Sequence, residues 1–213
     1  VNLAIEDVET GSKLTDLVFT GLNFLTFSGG TLGRNFEISD PLDASLVDIS
    51  ASDVSSNLIL DTSLSNLQKS FALGLGDDVL TVGDSLIAIP AIDTMSGGPG
   101  LDKLIINFAN ANEVKPNLSS FEELEIIFNG ASKLDFSNVA DVSEINILSS
   151  LSPISFDNIP FDISEVNVFG THIGDWILNF EQNASATPNI YWSNNTGTAN
   201  TVASLLLDEI KTL

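Results

Sequence analysis

Three segments of this chain repeat one another at a fixed step. Phe121-Glu122-Glu123-Leu124-Glu125-Ile126-Ile127, Val142-Ser143-Glu144-Ile145-Asn146-Ile147-Leu148 and Ile163-Ser164-Glu165-Val166-Asn167-Val168-Phe169 share the pattern apolar-x-Glu-apolar-polar-apolar-apolar, 21 residues apart each time. A short β-type run once per twenty-odd residues cannot bury its own apolar side. Stacked copies bury one another's, which is how a solenoid is built. Asn57-Leu58-Ile59-Leu60, Val79-Leu80-Thr81-Val82 and Leu104-Ile105-Ile106-Asn107-Phe108 continue the series upstream, and Trp176-Ile177-Leu178-Asn179-Phe180 and Ile190-Tyr191-Trp192 continue it downstream. Phe136-Ser137-Asn138-Val139 and Phe156-Asp157-Asn158-Ile159 form a further pair, 20 residues apart. The pattern predicts an all-β chain folded as a parallel β-solenoid with about 20–25 residues per rung. A β-sandwich of short strands is the alternative. Asn146 with Asn167, and Asn138 with Asn158, sit where stacked rungs would let side-chain amides form ladders.

Residues 1–50 alternate short apolar runs, such as Leu17-Val18-Phe19 and Leu22-Asn23-Phe24-Leu25-Thr26-Phe27, with turns such as Ser28-Gly29-Gly30. They read as an N-terminal β segment or cap. Residues 51–192 read as the solenoid and 193–213 as a C-terminal cap. In the cap, Val202, Leu206, Ile210 and Leu213 share a helical face, so a short helix is expected there, with a final strand as the alternative. Val1-Asn2-Leu3-Ala4-Ile5-Glu6 lacks both Met and a basic, signal-like start, and reads as the opening of a fragment.

Glycine-rich turns interrupt the repeat at two places. Gly97-Gly98-Pro99-Gly100-Leu101-Asp102-Lys103-Leu104-Ile105 matches the nonapeptide G-G-x-G-x-D-x-U-x in full. Leu73-Gly74-Leu75-Gly76-Asp77-Asp78-Val79-Leu80-Thr81 matches it except at its first glycine, and starts 24 residues earlier. Glycines let the backbone turn its carbonyls inward, and the aspartate adds a hard anionic oxygen, the donor type that calcium prefers. The candidate ligands are Asp78 and Asp102 through their side chains, with carbonyls near Gly74, Gly76, Gly97, Gly98 and Gly100. Asp77, Asp84 and Asp93 form a second tier. Plain Gly/Asp turns without metal are the alternative.

Charge points the same way. Seven Lys and Arg face 29 Asp and Glu, a formal net charge of −22. Self-repulsion on that scale opposes a compact state unless cations offset it, although halophilic or solubility chemistry gives the same composition. A nucleic-acid partner is excluded, because such binding needs cationic side chains in place of counterions. No apolar run reaches about 18 residues, so membrane insertion is not expected. Cysteine is absent, which removes disulfides and thiolate sites.

Catalytic groups are sparse. His172 is the chain's one histidine and reads as a turn or surface residue, and no H-E-x-x-H or G-x-S-x-G pattern occurs. Too few cations are present for a polyuronate-cleaving cleft, so no enzyme activity is expected. Trp176, Tyr191 and Trp192 are aromatics that could serve a sugar, but the repeat assigns Trp176 to the core.

The two glycine turns resemble the RTX repeats of bacterial proteins exported by type I secretion. The rungs around Phe121–Ile126 and Leu134–Ile147 are similar to those of calcium-dependent surface-layer proteins of Gram-negative bacteria. The resemblance covers residues 50–180, and the turn motif itself about 20 of them. It implies an extracellular, cell-surface β-solenoid that binds Ca2+ and works by self-association into a lattice or homo-oligomer. A calcium-dependent adhesin or a module for cell-surface polysaccharide is the alternative. Two isolated turns, unlike a tandem run, imply one or a few ions and a solenoid looser than a regular β-roll.

Overall fold

A computed structural model describes residues 2–5, 12–15, 20–65, 67, 69–83, 94–108, 112–160, 163–180, 189–192 and 201–208. The described chain is all strand and turn, and every strand pair in it is parallel. It is a β-solenoid. Strands are numbered in chain order, and each one hydrogen-bonds to the copy one rung away.

The longest sheet, B, has nine strands: β2 (Ser12–Leu14), β4 (Asn35–Ile38), β6 (Asn57–Asp61), β8 (Val79–Val82), β10 (Lys103–Phe108), β13 (Glu123–Phe128), β15 (Glu144–Ser150), β17 (Glu165–Val168) and β19 (Asn189–Trp192). At about 4.8 Å per parallel strand these span roughly 38 Å along the axis. Sheet A has six: β1 (Asn2–Ile5), β3 (Phe24–Phe27), β5 (Asp48–Ser50), β7 (Ser70–Ala72), β9 (Thr94–Ser96) and β12 (Asn117–Ser119). Sheet C has five: β11 (Asn112–Val114), β14 (Ser132–Asp135), β16 (Ile154–Ile159), β18 (Ile173–Phe180) and β20 (Thr201–Asp208). Sheet A ends where sheet C begins, and Leu118 makes one last bridge to Val139. The solenoid therefore changes walls along its length while sheet B runs through. The strands of residues 1–50 pair into sheets A and B in register with those that follow.

Alternation drives this arrangement. In β10 and β13 every second residue is buried, as period-2 patterning demands. Parallel pairing in register then stacks like on like. Leu80, Leu104, Leu124, Ile145 and Val166 form one interior column. Phe108 and Phe128 stack with their rings nearly parallel, centroids 5.1 Å apart. Sheet A faces them with Leu25, Ile49, Phe71, Met95 and Leu118, all buried.

The 21-residue step is realised from Glu123 to Ile126, with Glu123 opposite Glu144 and Glu144 opposite Glu165; past Ile126 the register shifts by one, and Ile127 pairs with Ser149 in place of Leu148. The Phe136/Phe156 alignment is not realised. Phe156 pairs with Leu134 in β14, and Phe136 touches it edge-on from outside the strand, with centroids 5.6 Å apart. Two apolar residues two positions apart point inward alike, so the sequence pattern slipped by one pleat. The C-terminal helix is also corrected. Thr201–Asp208 forms strand β20, with Leu178 opposite Leu207. The eight-residue β18 offers an edge of backbone donors and acceptors, and pairing satisfies them where a helix would leave them open. Ile210 and Leu213, like Leu17-Val18-Phe19, lie outside the described residues.

Candidate metal site at the stacked glycine turns

The corner between sheets A and B carries the chemistry. The two glycine turns lie one on the other there, separated by the 24-residue step of their sequences. Their approach is too close for side chains. A β-carbon on Gly98, which has φ +101°, would lie 2.1 Å from the Gly74 carbonyl oxygen, and one on Gly100 would lie 2.2 Å from that of Gly76. Only glycine fits this contact.

Buried aspartates fasten the rungs at this corner. Asp78 accepts the Leu58 amide at 2.7 Å through Oδ1 and the Gly74 amide at 2.8 Å through Oδ2. Asp102 accepts the Asp78 amide at 2.7 Å through Oδ1. Glu122 accepts the Asp102 amide at 2.7 Å through Oε2. Each acid thus receives an amide from near the start of the preceding rung's strand of sheet B. A parallel outer line runs beside it: Asp77 accepts the Leu101 amide at 2.9 Å, and Asn57 accepts the Asp77 amide at 2.9 Å.

One oxygen is left over. Asp102 Oδ2 is buried and has no hydrogen-bond partner, while the residue as a whole is 1% exposed. Burial pushes the Asp102 carboxyl up to about 7; the Asp78 amide opposes this, and the charges of Asp78, Glu122 and Asp77 add to it. Burial likewise pushes Asp78 up to about 6 against the Leu58 and Gly74 amides, with the Asp77 charge adding. Gly97 leaves a cradle at this oxygen: a β-carbon there would lie 1.9 Å from the Ser120 carbonyl oxygen and 2.6 Å from Asp102 Oδ2. Ser120 holds that carbonyl in place from a left-handed conformation, φ 54°.

The residues named from sequence are therefore brought together, but with unequal parts. Asp78 has both oxygens engaged by amides and acts as a fastener. Asp102 keeps one oxygen open. Among the described residues no group of three or more His, Cys, Asp or Glu side chains converges as a cation cage, so an ion here would draw on backbone carbonyls as well. Within those terms the open Asp102 oxygen, close to the Ser120 carbonyl oxygen, is a donor set that fits a hard cation. Sequence reasoning missed Glu122 and Ser120. The signal for Glu122 was its position 20 residues after Asp102, one rung on from an acid itself one rung on from Asp78. Asp84 and Asp93 lie outside the described residues. The Ser28-Gly29-Gly30 turn occupies the same corner, where Ser56 Oγ accepts the Thr31 amide at 2.9 Å.

Past Glu122 the buried carboxylates give way to hydroxyls, although the exposed Asp141 still accepts the Ser120 amide at 3.0 Å. Ser143 Oγ donates to the Glu122 carbonyl at 3.2 Å and Ser164 Oγ to the Ser143 carbonyl at 2.9 Å. On the outer face of sheet B the expected amide ladder forms: Asn167 Nδ2 donates to Asn146 Oδ1 at 3.0 Å and to Glu144 Oε1 at 3.1 Å. Asn146 Nδ2 reaches Glu123 Oε1 at 2.7 Å, and Lys103 Nζ lies 2.8 Å from the same oxygen. The Asn138/Asn158 ladder does not form, because Asn158 donates to Asp135 at 2.8 Å.

His172 is buried and not a surface residue. Its Nε2 meets the Phe169 carbonyl at 2.5 Å, and its ring stands edge-on to Trp176 at 4.7 Å. Burial lowers its pKa, which the Phe169 hydrogen bond partly offsets. Trp176 is fully buried, so it packs in the core and offers no sugar platform. The side chains of Tyr191 and Trp192 lie outside the description. A shallow, open groove of about 520 Å3 crosses the outer face of sheet C beside Glu113, Lys133, Ser155 and Asp175. Its lysine is already paired with Glu113 at 3.1 Å and Asp157 at 2.8 Å. Comparison with known protein families, curated proteins and solved structures finds no match.

Proposed function

We propose that this chain is a structural module of a secreted bacterial cell-surface protein of the surface-layer kind, stabilised by calcium and acting through self-association. The observation that carries the reading is the open, buried oxygen of Asp102 among Asp77, Asp78 and Glu122, at a turn that matches the glycine-rich nonapeptide. A buried carboxylate oxygen without a donor destabilises the fold unless a proton or a cation meets it. Asp102, with carbonyls of its own turn and of Ser120, would hold the ion. The ion would supply positive charge to a corner where four acids lie close together. The parallel solenoid supports the same reading, since its long, regular sheet faces suit lateral packing, and the chain's charge of −22 suits assembly that waits for divalent cations.

The test is thermal unfolding of the chain in millimolar calcium and in chelator, with light scattering and electron microscopy on the same samples. A ligand at about 100 times its dissociation constant adds roughly 2.7 kcal/mol, so a rise of several degrees is expected. Calcium-dependent particles or sheets are expected by scattering and microscopy. Equal melting temperatures would remove calcium from the reading. Monomers at every calcium concentration would remove self-association.

A further inference from the structure

Resting on the calcium reading, we propose that the ion sits one rung further along than the paired glycine motifs indicate: between the Gly97–Asp102 turn and the Ser120-Phe121-Glu122 segment, with Ser120 and Glu122 as unrecognised participants. The oxygens decide the position. Between the two glycine turns the side-chain acceptors are already taken. Asp78 uses both oxygens on the Leu58 and Gly74 amides, and Asp102 uses Oδ1 on the Asp78 amide. The backbones approach closely on both sides of the turn, at Gly98 and Gly100 as at Gly97, so the open oxygen decides the position. No buried carboxylate oxygen is left open on that side.

The other side of the turn differs. Asp102 Oδ2, buried and without a donor, lies beside Gly97 together with the Ser120 carbonyl oxygen, and both would touch a β-carbon placed there. Ser120 takes a left-handed conformation, φ 54°, that side-chain-bearing residues adopt rarely, and its amide is tied to Asp141 Oδ2 at 3.0 Å. Glu122 accepts the Asp102 amide at 2.7 Å, which holds a second carboxylate next to Asp102, close enough for its charge to act on the Asp102 carboxyl. A carboxylate oxygen, a backbone carbonyl and an adjacent carboxylate are hard oxygen donors of the kind that calcium takes, with water completing the shell. The ion would then clip β10 to β13, where the acid-fastened corner gives way to the serine-fastened one.

Two measurements on the intact chain test this. In the first, calcium affinity is read by calorimetry for the wild type, Glu122→Gln, Asp102→Asn and Asp78→Asn. Glu122→Gln keeps an oxygen for the Asp102 amide and so keeps the fold. Glu122→Gln and Asp102→Asn are each expected to weaken binding by about tenfold or more, the scale set by losing one ligand or its support. Asp78→Asn should change affinity by less than about threefold in folded protein. The second needs no variant: Mn2+ replaces calcium, and paramagnetic relaxation of backbone amides is compared at Ser143 and Leu58. An ion between the Asp102 and Glu122 rungs is nearer Ser143 and relaxes it more strongly. Stronger relaxation at Leu58, or binding that depends on Asp78 and ignores Glu122, overturns the position and leaves the calcium reading standing. Absence of binding by either cation in the wild type overturns both.

Discussion

The same corner of the solenoid is fastened in two ways on either side of Glu122. Before it, the buried carboxylates of Asp78 and Asp102 and the half-buried one of Glu122 accept amides of the preceding rung. After it, the hydroxyls of Ser143 and Ser164 donate to carbonyls of the preceding rung. The backbone ladder is alike in both: the Asp102, Glu122 and Ser143 carbonyls each accept two amides from the next rung. What differs is charge. A carboxylate accepts strongly but must be held in place without water, and its charge then needs a partner. A hydroxyl is weaker and asks for nothing further. The acid-fastened rungs are therefore the ones that hold a buried charge in need of a counter-charge or a proton, and the serine-fastened rungs carry the regular 21-residue step.

Removing one fastener from each side gives the largest contrast. Asp78→Ala leaves the buried amides of Leu58 and Gly74 without their acceptor. At about 1–3 kcal/mol for each unsatisfied group, the loss is roughly 2–6 kcal/mol, enough to unfold a marginal domain. Ser164→Ala removes one exposed hydroxyl bond from a carbonyl that still accepts the Ser164 and Glu165 amides, and should cost at most about 0.5 kcal/mol. Urea unfolding of both variants checks this. Similar midpoints for the two would erase the distinction between the halves of the corner.

A smaller effect separates close packing from backbone freedom. Gly98→Ala meets both a left-handed φ of +101° and the Gly74 carbonyl oxygen at 2.1 Å, so strain of about 1–2 kcal/mol is joined by displacement of one rung from the next. Gly33→Ala has a similar φ, +72°, with nothing within 4 Å of the added carbon, and should cost the strain alone. A melting temperature for Gly98→Ala no lower than that of Gly33→Ala would show that the two glycine turns are not in contact in solution.

The comparison also explains what was legible in the sequence. The serine-fastened half reads easily because Glu123, Glu144 and Glu165 recur at one outward position with apolar residues at fixed offsets. The acid-fastened half reads as motif more than as repeat. Its turns differ in length; the nonapeptide singles out Asp78 and Asp102 as candidate ligands, and the structure buries both. The handover from sheet A to sheet C is invisible, since Leu118, Leu134 and Phe156 obey one inward rule whichever wall they belong to. Glu122 is hidden for a related reason. It sits inside the repeat pattern as an ordinary surface acid, and only the register shows that its carboxylate turns back to the Asp102 amide. Ser120 matters through its carbonyl and its φ, which no side-chain pattern encodes.

The smallest effect is in the pH dependence, and its sign differs between the two halves. Asp102 and Asp78 have folded pKa values raised to about 7 and about 6, above the carboxylate value of 3.8. The folded chain therefore binds these protons more tightly than the unfolded chain, and their contribution to stability grows as pH falls from about 7 toward the unfolded value. In the serine-fastened half the acids run the other way. Burial raises Asp135 and Asp157, but hydrogen bonds from Asn158 and Ser137 to the first, and from Lys133 and Asn179 to the second, outweigh it and lower both. Their contribution is present above the unfolded carboxylate value and is lost as pH falls below it. His172, with its lowered value, withdraws stability as pH falls below its ordinary 6.5 and so offsets part of the gain. In chelator the melting temperature is expected to be higher by a few degrees near pH 5.5 than at pH 7.5, and to drop again below about pH 4. Asp102→Asn should flatten the upper branch and leave the lower one; Asp157→Asn should do the reverse. Calcium bound as proposed would also flatten the upper branch, because it would bring the positive charge that the proton otherwise brings. An upper branch that survives Asp102→Asn unchanged would move the pH dependence away from the acid-fastened corner.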